Sequence, residues 1–220
     1  MRVPGYFIVV EGPEGSGKST LVAELAAWME TSGLKPVRVR EPGGTPVAEG
    51  ARRLLLDPQL DVAPLAEVFL YLAARADLVH RVIRPALEVG GVVLADRFDL
   101  STEIYQVVGR GLDRDMVLAA NRAATGGLRP DMTLITDVPP GVGLARQQQG
   151  RQALDRLDLE NQAFHQRVIE AYLAVEGPGV RHLNGTLPPE QLFAAARDAL
   201  VADRPDLFSS RNVGTARQRT

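Results

Sequence analysis

Short apolar runs alternate with stretches of helical periodicity along almost the whole chain. The run Tyr6–Val10 predicts a buried strand, and Ser19–Thr31 predicts the helix after it, closed by Gly33. Pro36–Val39 predicts a second, short strand. Helical spacing returns over Val47–Leu56 and Leu65–Val89, the latter with a disturbance expected near Pro85. Val92–Ala95 follows the turn pair Gly90-Gly91 and predicts a buried parallel strand. Asp115–Thr125 predicts a helix, and Met132–Thr136, after the Arg129-Pro130-Asp131 break, a fourth strand. Val142–Gln148, Glu160–Val175 and Pro189–Ala202 predict further helices, with Val180–Leu183 as a fifth strand. Strands that alternate with helices predict an α/β fold: a five-stranded parallel sheet with helices on both faces and right-handed crossovers. No repeat or linker divides the chain, so residues 1–208 are expected to form one domain. Residues 209–220 are polar and aperiodic and are expected to be a disordered tail.

Composition excludes several classes of function. At 220 residues, with 45% hydrophobic and 24% charged positions, the chain reads as an ordinary soluble globular protein. A net charge of −2 argues against a broad nucleic-acid or anionic-membrane surface. There is no cysteine, which excludes disulfides and cysteine-ligated metals and fits a reducing compartment. No signal peptide or transmembrane run precedes the first strand, so the expected location is cytoplasmic. Lys18 and Lys35 are the only lysines, and arginine fills the other Lys/Arg positions.

Lys18 sits where lysine has a specific use. Residues 12–19 read Gly12-Pro13-Glu14-Gly15-Ser16-Gly17-Lys18-Ser19, between the first predicted strand and the first helix. That is the G-x-x-x-x-G-K-[ST] phosphate loop in the context it requires. The glycines let successive N–H groups turn inward on an anion, and the helix start adds its positive dipole end. Lys18 can reach the β- and γ-phosphates, and the Ser19 hydroxyl can ligate Mg²⁺. A loop of this kind binds a nucleoside triphosphate.

Four further features bear on what is done with the triphosphate. Asp96-Arg97 lies at the carboxyl end of a predicted strand, where open α/β sheets place ligands. There Asp96 can hold Mg²⁺, and Arg97 can face a phosphate bidentately. Arg40-Glu41-Pro42-Gly43-Gly44-Thr45 forms a rigid turn beside the cleft, from which Arg40 can clamp an acceptor phosphate. Tyr71 and Arg75 share one helix face, an aromatic surface and a guanidinium suited to a nucleobase, although such a pair alone is more often core packing. Arg146, Arg151 and Arg156 fall in a stretch rich in glutamine and glycine that reads as a lid, about 146–158, able to close over phosphates.

Over roughly residues 5–200 this combination resembles the thymidylate kinases. The matching segments are Glu11 to Thr20, Arg40 to Thr45, Asp96-Arg97-Phe98 with Ser101-Thr102, and Leu154-Asp155-Arg156. The likeness is to the bacterial class with its catalytic arginine in the lid. Here the interior of the loop is Pro13, Glu14, Gly15 and Ser16, none basic, while the lid holds three arginines.

The resemblance implies a phosphate-loop NTPase fold that phosphorylates dTMP to dTDP with ATP and Mg²⁺, in a homodimer. It implies that Tyr71 stacks on thymine, Arg75 bonds its carbonyl edge and Thr102 reads its N3 side. Glu14 would meet the sugar 3′-hydroxyl, Tyr105 would crowd the 2′ position, and Arg97, Arg40 and Ser101 would attend the acceptor. Lys18, Asp96, Arg97, Arg151 and Arg156 would be catalytic, Ser19 and Asp96 would ligate the metal, and Arg146 would flank the adenine. Residues 12–20, which include Thr20, would hold ATP.

Three positions depart from the family's usual pattern: Asp158 in place of glutamate, Tyr71 in place of phenylalanine, and Asn184 in place of aspartate. Two other readings compete. Another nucleoside monophosphate or deoxynucleoside kinase would differ at the base-reading positions. A nucleotide-dependent switch of the GTPase kind expects an N-K-x-D tetrapeptide, which this sequence lacks.

Overall fold

The computed structural model describes residues 5–143, 145–146 and 155–209. The strands are β1 (Tyr6–Glu11), β2 (Val37–Arg40), β3 (Val92–Asp96), β4 (Met132–Asp137) and β5 (Val180–Asn184). They form one parallel sheet in the order β2-β3-β1-β4-β5. Strand β3 returns between β1 and β2, and β4 then adds on the other side of β1. The winding therefore reverses beside β1, and in such sheets the crevice at the carboxyl ends of the strands takes the ligand.

Burial on both faces explains why β1 reads as one unbroken apolar run. Tyr6, Ile8 and Val10 pack against Leu21, Leu25 and Met29 of α1 (Lys18–Thr31) and against Leu192, Ala196 and Leu200. Phe7 and Val9 turn to the opposite face and meet Leu78, Val79, Ile83 and Phe98.

Helices α2 (Pro46–Leu56) and α3 (Pro64–Leu78) pack on one another. The disturbance expected near Pro85 is a π-helical segment, Val79–Ile83, between α3 and α4 (Arg84–Glu88). Pro85 offers no N–H and its ring crowds the carbonyl one turn back, so the helix widens there instead of breaking. After β3 comes a helix that the periodicity did not show: α5 (Asp99–Thr102), running into the π-helical segment Glu103–Gly109. Its buried positions mix Thr102 and Gln106 with Ile104 and Tyr105, so no clean apolar stripe marks it in the sequence.

The remaining helices are α6 (Arg114–Thr125), α7 (Gln162–Leu173), α8 (Pro189–Asp203) and a short α9 (Pro205–Phe208). Asp113 and Asn161 cap α6 and α7, accepting from Met116 N and Phe164 N. Phe208 of α9 stacks on Trp28, with ring centroids 5.9 Å apart. Of the helix predicted over Val142–Gln148, residues 142–143 and 145–146 are helical and the rest lies outside the described residues. Arg151, most of the predicted lid and the predicted tail beyond Ser209 also lie outside them. No helix among the described residues is long and apolar enough to cross a membrane.

Sheet register brings the candidate residues together. Asp96 pairs with Val10 on one side and with Arg40 on the other, so the ends of β1, β2 and β3 open on one cleft.

Candidate active site

The phosphate loop is shaped by its glycines. Gly12 has φ 141° and Gly15 φ 69°, backbone that L side chains rarely adopt. A Cβ at Gly15 would also collide with the Gly143 carbonyl. Ser16 Oγ lies 2.6 Å from Thr136 Oγ1, which donates to the Glu11 carbonyl, so β4 braces the loop from below. Lys18 is buried and folds back over the loop, its Nζ donating to the Pro13 carbonyl at 2.6 Å. Burial and the nearby Arg97 bring its ammonium down to about 8, against the pull of Glu14 and Asp96. Ser19 Oγ donates to Asp96 Oδ2 at 2.7 Å, so the two candidate metal ligands touch.

Arg97 spans the middle of the cleft. Its backbone sits in the left-handed region, at φ 70°, with its N–H bonded to the Val10 carbonyl at 3.0 Å. One terminal nitrogen donates to the Gly12 carbonyl, Ser101 Oγ and Tyr172 Oη, and the other to Glu14 Oε1 at 2.8 Å. Tyr105 Oη donates to Glu14 at 2.6 Å, and Arg97 lies over the Tyr105 ring. Burial raises the Glu14 carboxyl, but Arg97, Lys18 and Tyr105 outweigh it and hold the group below the usual carboxylate range. Beneath them, Glu11 accepts from Phe98 N, Ser101 N, Ser101 Oγ and Tyr172 Oη. That carboxylate fixes the turn that presents Arg97.

Farther from the phosphate loop, Arg75 is 1% exposed, and its guanidinium makes four hydrogen bonds to the protein. Its partners are Glu41, Thr102, Asn121 and the Phe98 carbonyl. Burial pushes the Glu41 carboxyl up to about 7 despite Arg75, and its Oε1 has no partner among the described residues. Tyr71 lies one turn before Arg75 on α3, and burial pushes its phenol upward. On the opposite wall, Arg40 is held by Glu49 at 2.9 Å and by the Pro42 carbonyl at 3.0 Å. These groups enclose a cleft of about 420 Å³, a size suited to small ligands.

A sequence model described as thymidylate kinase matches residues 10–196 of the chain. The chain belongs to the thymidylate kinase family. It is similar to the thymidylate kinase of Thermosynechococcus vestitus, at 45% identity over 90% of this chain and 88% of that protein. The thymidylate kinase of Thermomicrobium roseum is 46% identical, over 84% and 89% of the two chains. That of Pseudomonas fluorescens is 50% identical, over 77% and 81%.

Most of the residues that the family likeness singles out line this cleft: Glu14, Lys18, Ser19, Arg40, Tyr71, Arg75, Asp96, Arg97, Ser101, Thr102, Tyr105 and Arg146. Arg156 does not. Its guanidinium is tied to Glu67 Oε2 and to the Leu55 carbonyl, away from the phosphate loop. Arg146 donates to the Gly185 carbonyl at 2.8 Å, and Asn184 caps the same turn by accepting from Thr186. Asp158 accepts from the Asp155 N–H at the start of its own turn.

Sequence reasoning missed Glu67, Gln106, Asn121 and Tyr172, and gave no role to Glu11 and Glu41 although both lie in motifs it singled out. Each is a buried polar side chain whose partners come from distant segments, and nothing local in the sequence marks such pairs.

Proposed function

We propose that this cleft transfers the γ-phosphoryl group of ATP in line to dTMP, giving dTDP. One observation supports the reading: Arg97 touches the phosphate loop through the Gly12 carbonyl and Glu14, and the helical segment beyond it through Ser101 and Tyr105. A single side chain therefore joins the two sides of one cleft, as transfer between two phosphates requires.

In this reading Lys18 leaves the Pro13 carbonyl for the β- and γ-phosphates, while Arg97 and Arg40 hold the acceptor phosphate. Tyr71 stacks on thymine, Thr102 and Arg75 face its polar edge, and Glu14 meets the sugar 3′-hydroxyl beside Tyr105. Arg75 would share with a thymine carbonyl an N–H that Thr102 or Phe98 now holds. No strong base is needed, because the acceptor phosphate is already anionic. Arg146 flanks the adenine, and Arg151 neutralises the transferred group. Arg156 is assigned in this reading to support of the cleft wall, where its contact with Glu67 supports that role.

The residues present fit Mg²⁺. Ser19 and Asp96 offer adjacent hard oxygen donors, and the described residues hold no cluster of three or more metal-ligating side chains. Mg²⁺ characteristically takes one or two protein oxygens and completes its shell with water and phosphate. When bound, it neutralises phosphate charge.

A second copy of the chain would pair through α2 and α3. Val47 and Leu54 on α2, and Leu65 and Phe69 on α3, are large apolar side chains left exposed, Phe69 at 55%. The cysteine-free composition fits the cytoplasm as the place of action.

A coupled assay with ATP and a panel of dTMP, dUMP, UMP, dCMP, AMP and dGMP tests the function. Preference for dTMP is expected, and preference for a purine would overturn the reading. Light scattering on the purified chain tests the dimer.

A further inference from the structure

Glu67 lies one turn before Tyr71 on α3 and is 0% exposed. Its Oε1 accepts from Gln106 Nε2 at 2.9 Å and from Arg110 Nε at 3.2 Å. Its Oε2 accepts from Arg110 at 3.1 Å and from Arg156. Arg110 in turn pairs with Glu160 at 2.5 Å.

Burial raises the Glu67 carboxyl, but its hydrogen bonds from Arg110, Gln106 and Arg156 hold it below the usual range. The group is therefore a carboxylate, and a carboxylate only accepts. That fixes the Gln106 amide: its NH₂ must face Glu67, which leaves the carbonyl end, Oε1, for the cleft that Gln106 lines.

We propose that Glu67 is a specificity-positioning residue, locking the Gln106 amide so that the cleft offers the acceptor base an oxygen and favours a pyrimidine with an N3–H. The proposal rests on the reading of the cleft as a dTMP site. Thymine carries a hydrogen on N3, whereas cytosine presents a bare lone pair there, so Gln106 Oε1 attracts the one and repels the other. Glu67 touches neither substrate and acts through Gln106.

The decisive comparison is Glu67→Gln against Glu67→Asp. A glutamine at 67 can donate or accept, so the Gln106 amide becomes free to turn its NH₂ toward the cleft, where it suits cytosine. An aspartate remains acceptor-only.

The experiment measures kcat/KM for dTMP and for dCMP on the full chain, and KM for ATP alongside. In Glu67→Gln the dTMP-to-dCMP ratio is expected to fall on the order of 10-fold, the scale of a mismatched hydrogen bond. In Glu67→Asp the ratio should stay at the wild-type value even though both rates drop, and KM for ATP should be unchanged in both variants. An unchanged ratio in Glu67→Gln, or an equal fall in Glu67→Asp, would overturn the proposal.

Glu67→Gln leaves two arginines short of a counter-charge. If it does not fold, Glu67→Gln with Arg156→Gln removes one of them while Arg110 keeps Glu160, and the same fall in the ratio is expected. A wild-type enzyme that did not prefer dTMP to dCMP would instead overturn the reading of the cleft itself.

Discussion

Glu14, inside the phosphate loop, accepts a 2.6 Å hydrogen bond from Tyr105, on the helical segment after β3. The same carboxylate takes an Arg97 N–H at 2.8 Å, so loop, strand end and helix are fastened at one point. A hydrogen bond to a charged partner contributes about 1.5–3 kcal/mol. Tyr105→Phe keeps the ring and removes only that bond. It is predicted to lower kcat/KM for dTMP by roughly 10-fold or more, with KM for ATP unchanged. Unaltered kcat/KM would show that the bridge plays no part in turnover.

Arg97 reaches five oxygens through two terminal nitrogens. Lysine has a single nitrogen and cannot reproduce that fork. Arg97→Ala and Lys18→Ala are each predicted to cut kcat by at least ~10²-fold, the scale of losing one preorganised charge contact. Arg97→Lys should recover little of it. Steady-state kinetics on folded variants decides the point, and near wild-type turnover in Arg97→Ala would remove Arg97 from the transfer step.

The sheet was legible because β1 and β3 are buried on both faces and so read as unbroken apolar runs. The phosphate loop was legible because its glycines and Lys18 act within a few residues of one another. The helix from Asp99 to Gly109 was not, since Ile104 and Tyr105 share its buried face with polar side chains, Thr102 on Arg75 and Gln106 on Glu67. Their partners lie 27 and 39 residues away in sequence, beyond the reach of any local pattern. The contact of Arg156 with Glu67, 89 residues away in sequence, is likewise invisible to a local pattern.

Arg75 ties Glu41, Thr102, Asn121 and the Phe98 carbonyl together, and its removal would strand Glu41, whose other oxygen has no partner among the described residues. Breaking a buried pair by removing one partner typically costs about 3–5 kcal/mol. Arg75→Ala is therefore predicted to lower the urea midpoint of unfolding by that much stability. Arg75→Met combined with Glu41→Leu should recover part of the loss, because no charge is then left buried alone. A midpoint for Arg75→Ala equal to wild type would mean that the pair contributes only to binding.

His182 offers a prediction that depends on pH. Its Nδ1 faces Asp137 at 2.9 Å and its Nε2 faces the Val175 carbonyl at 2.7 Å, so both ring nitrogens meet acceptors. Only the imidazolium can donate to both. Partial burial lowers the imidazole, but Val175 and Asp137 outweigh it and raise the group above its ordinary value. A group whose pKa is higher folded than unfolded stabilises fully below the unfolded value, about 6.5, and loses that contribution as pH rises through the folded value. The pair is partly solvent-exposed, so the effect is small. His182→Gln is predicted to lower Tm by about 1–3 °C near pH ~5.5 and by less near pH ~9. Thermal unfolding at the two pH values checks this, and a difference that stays constant with pH would show that His182 is held for its shape and not its charge.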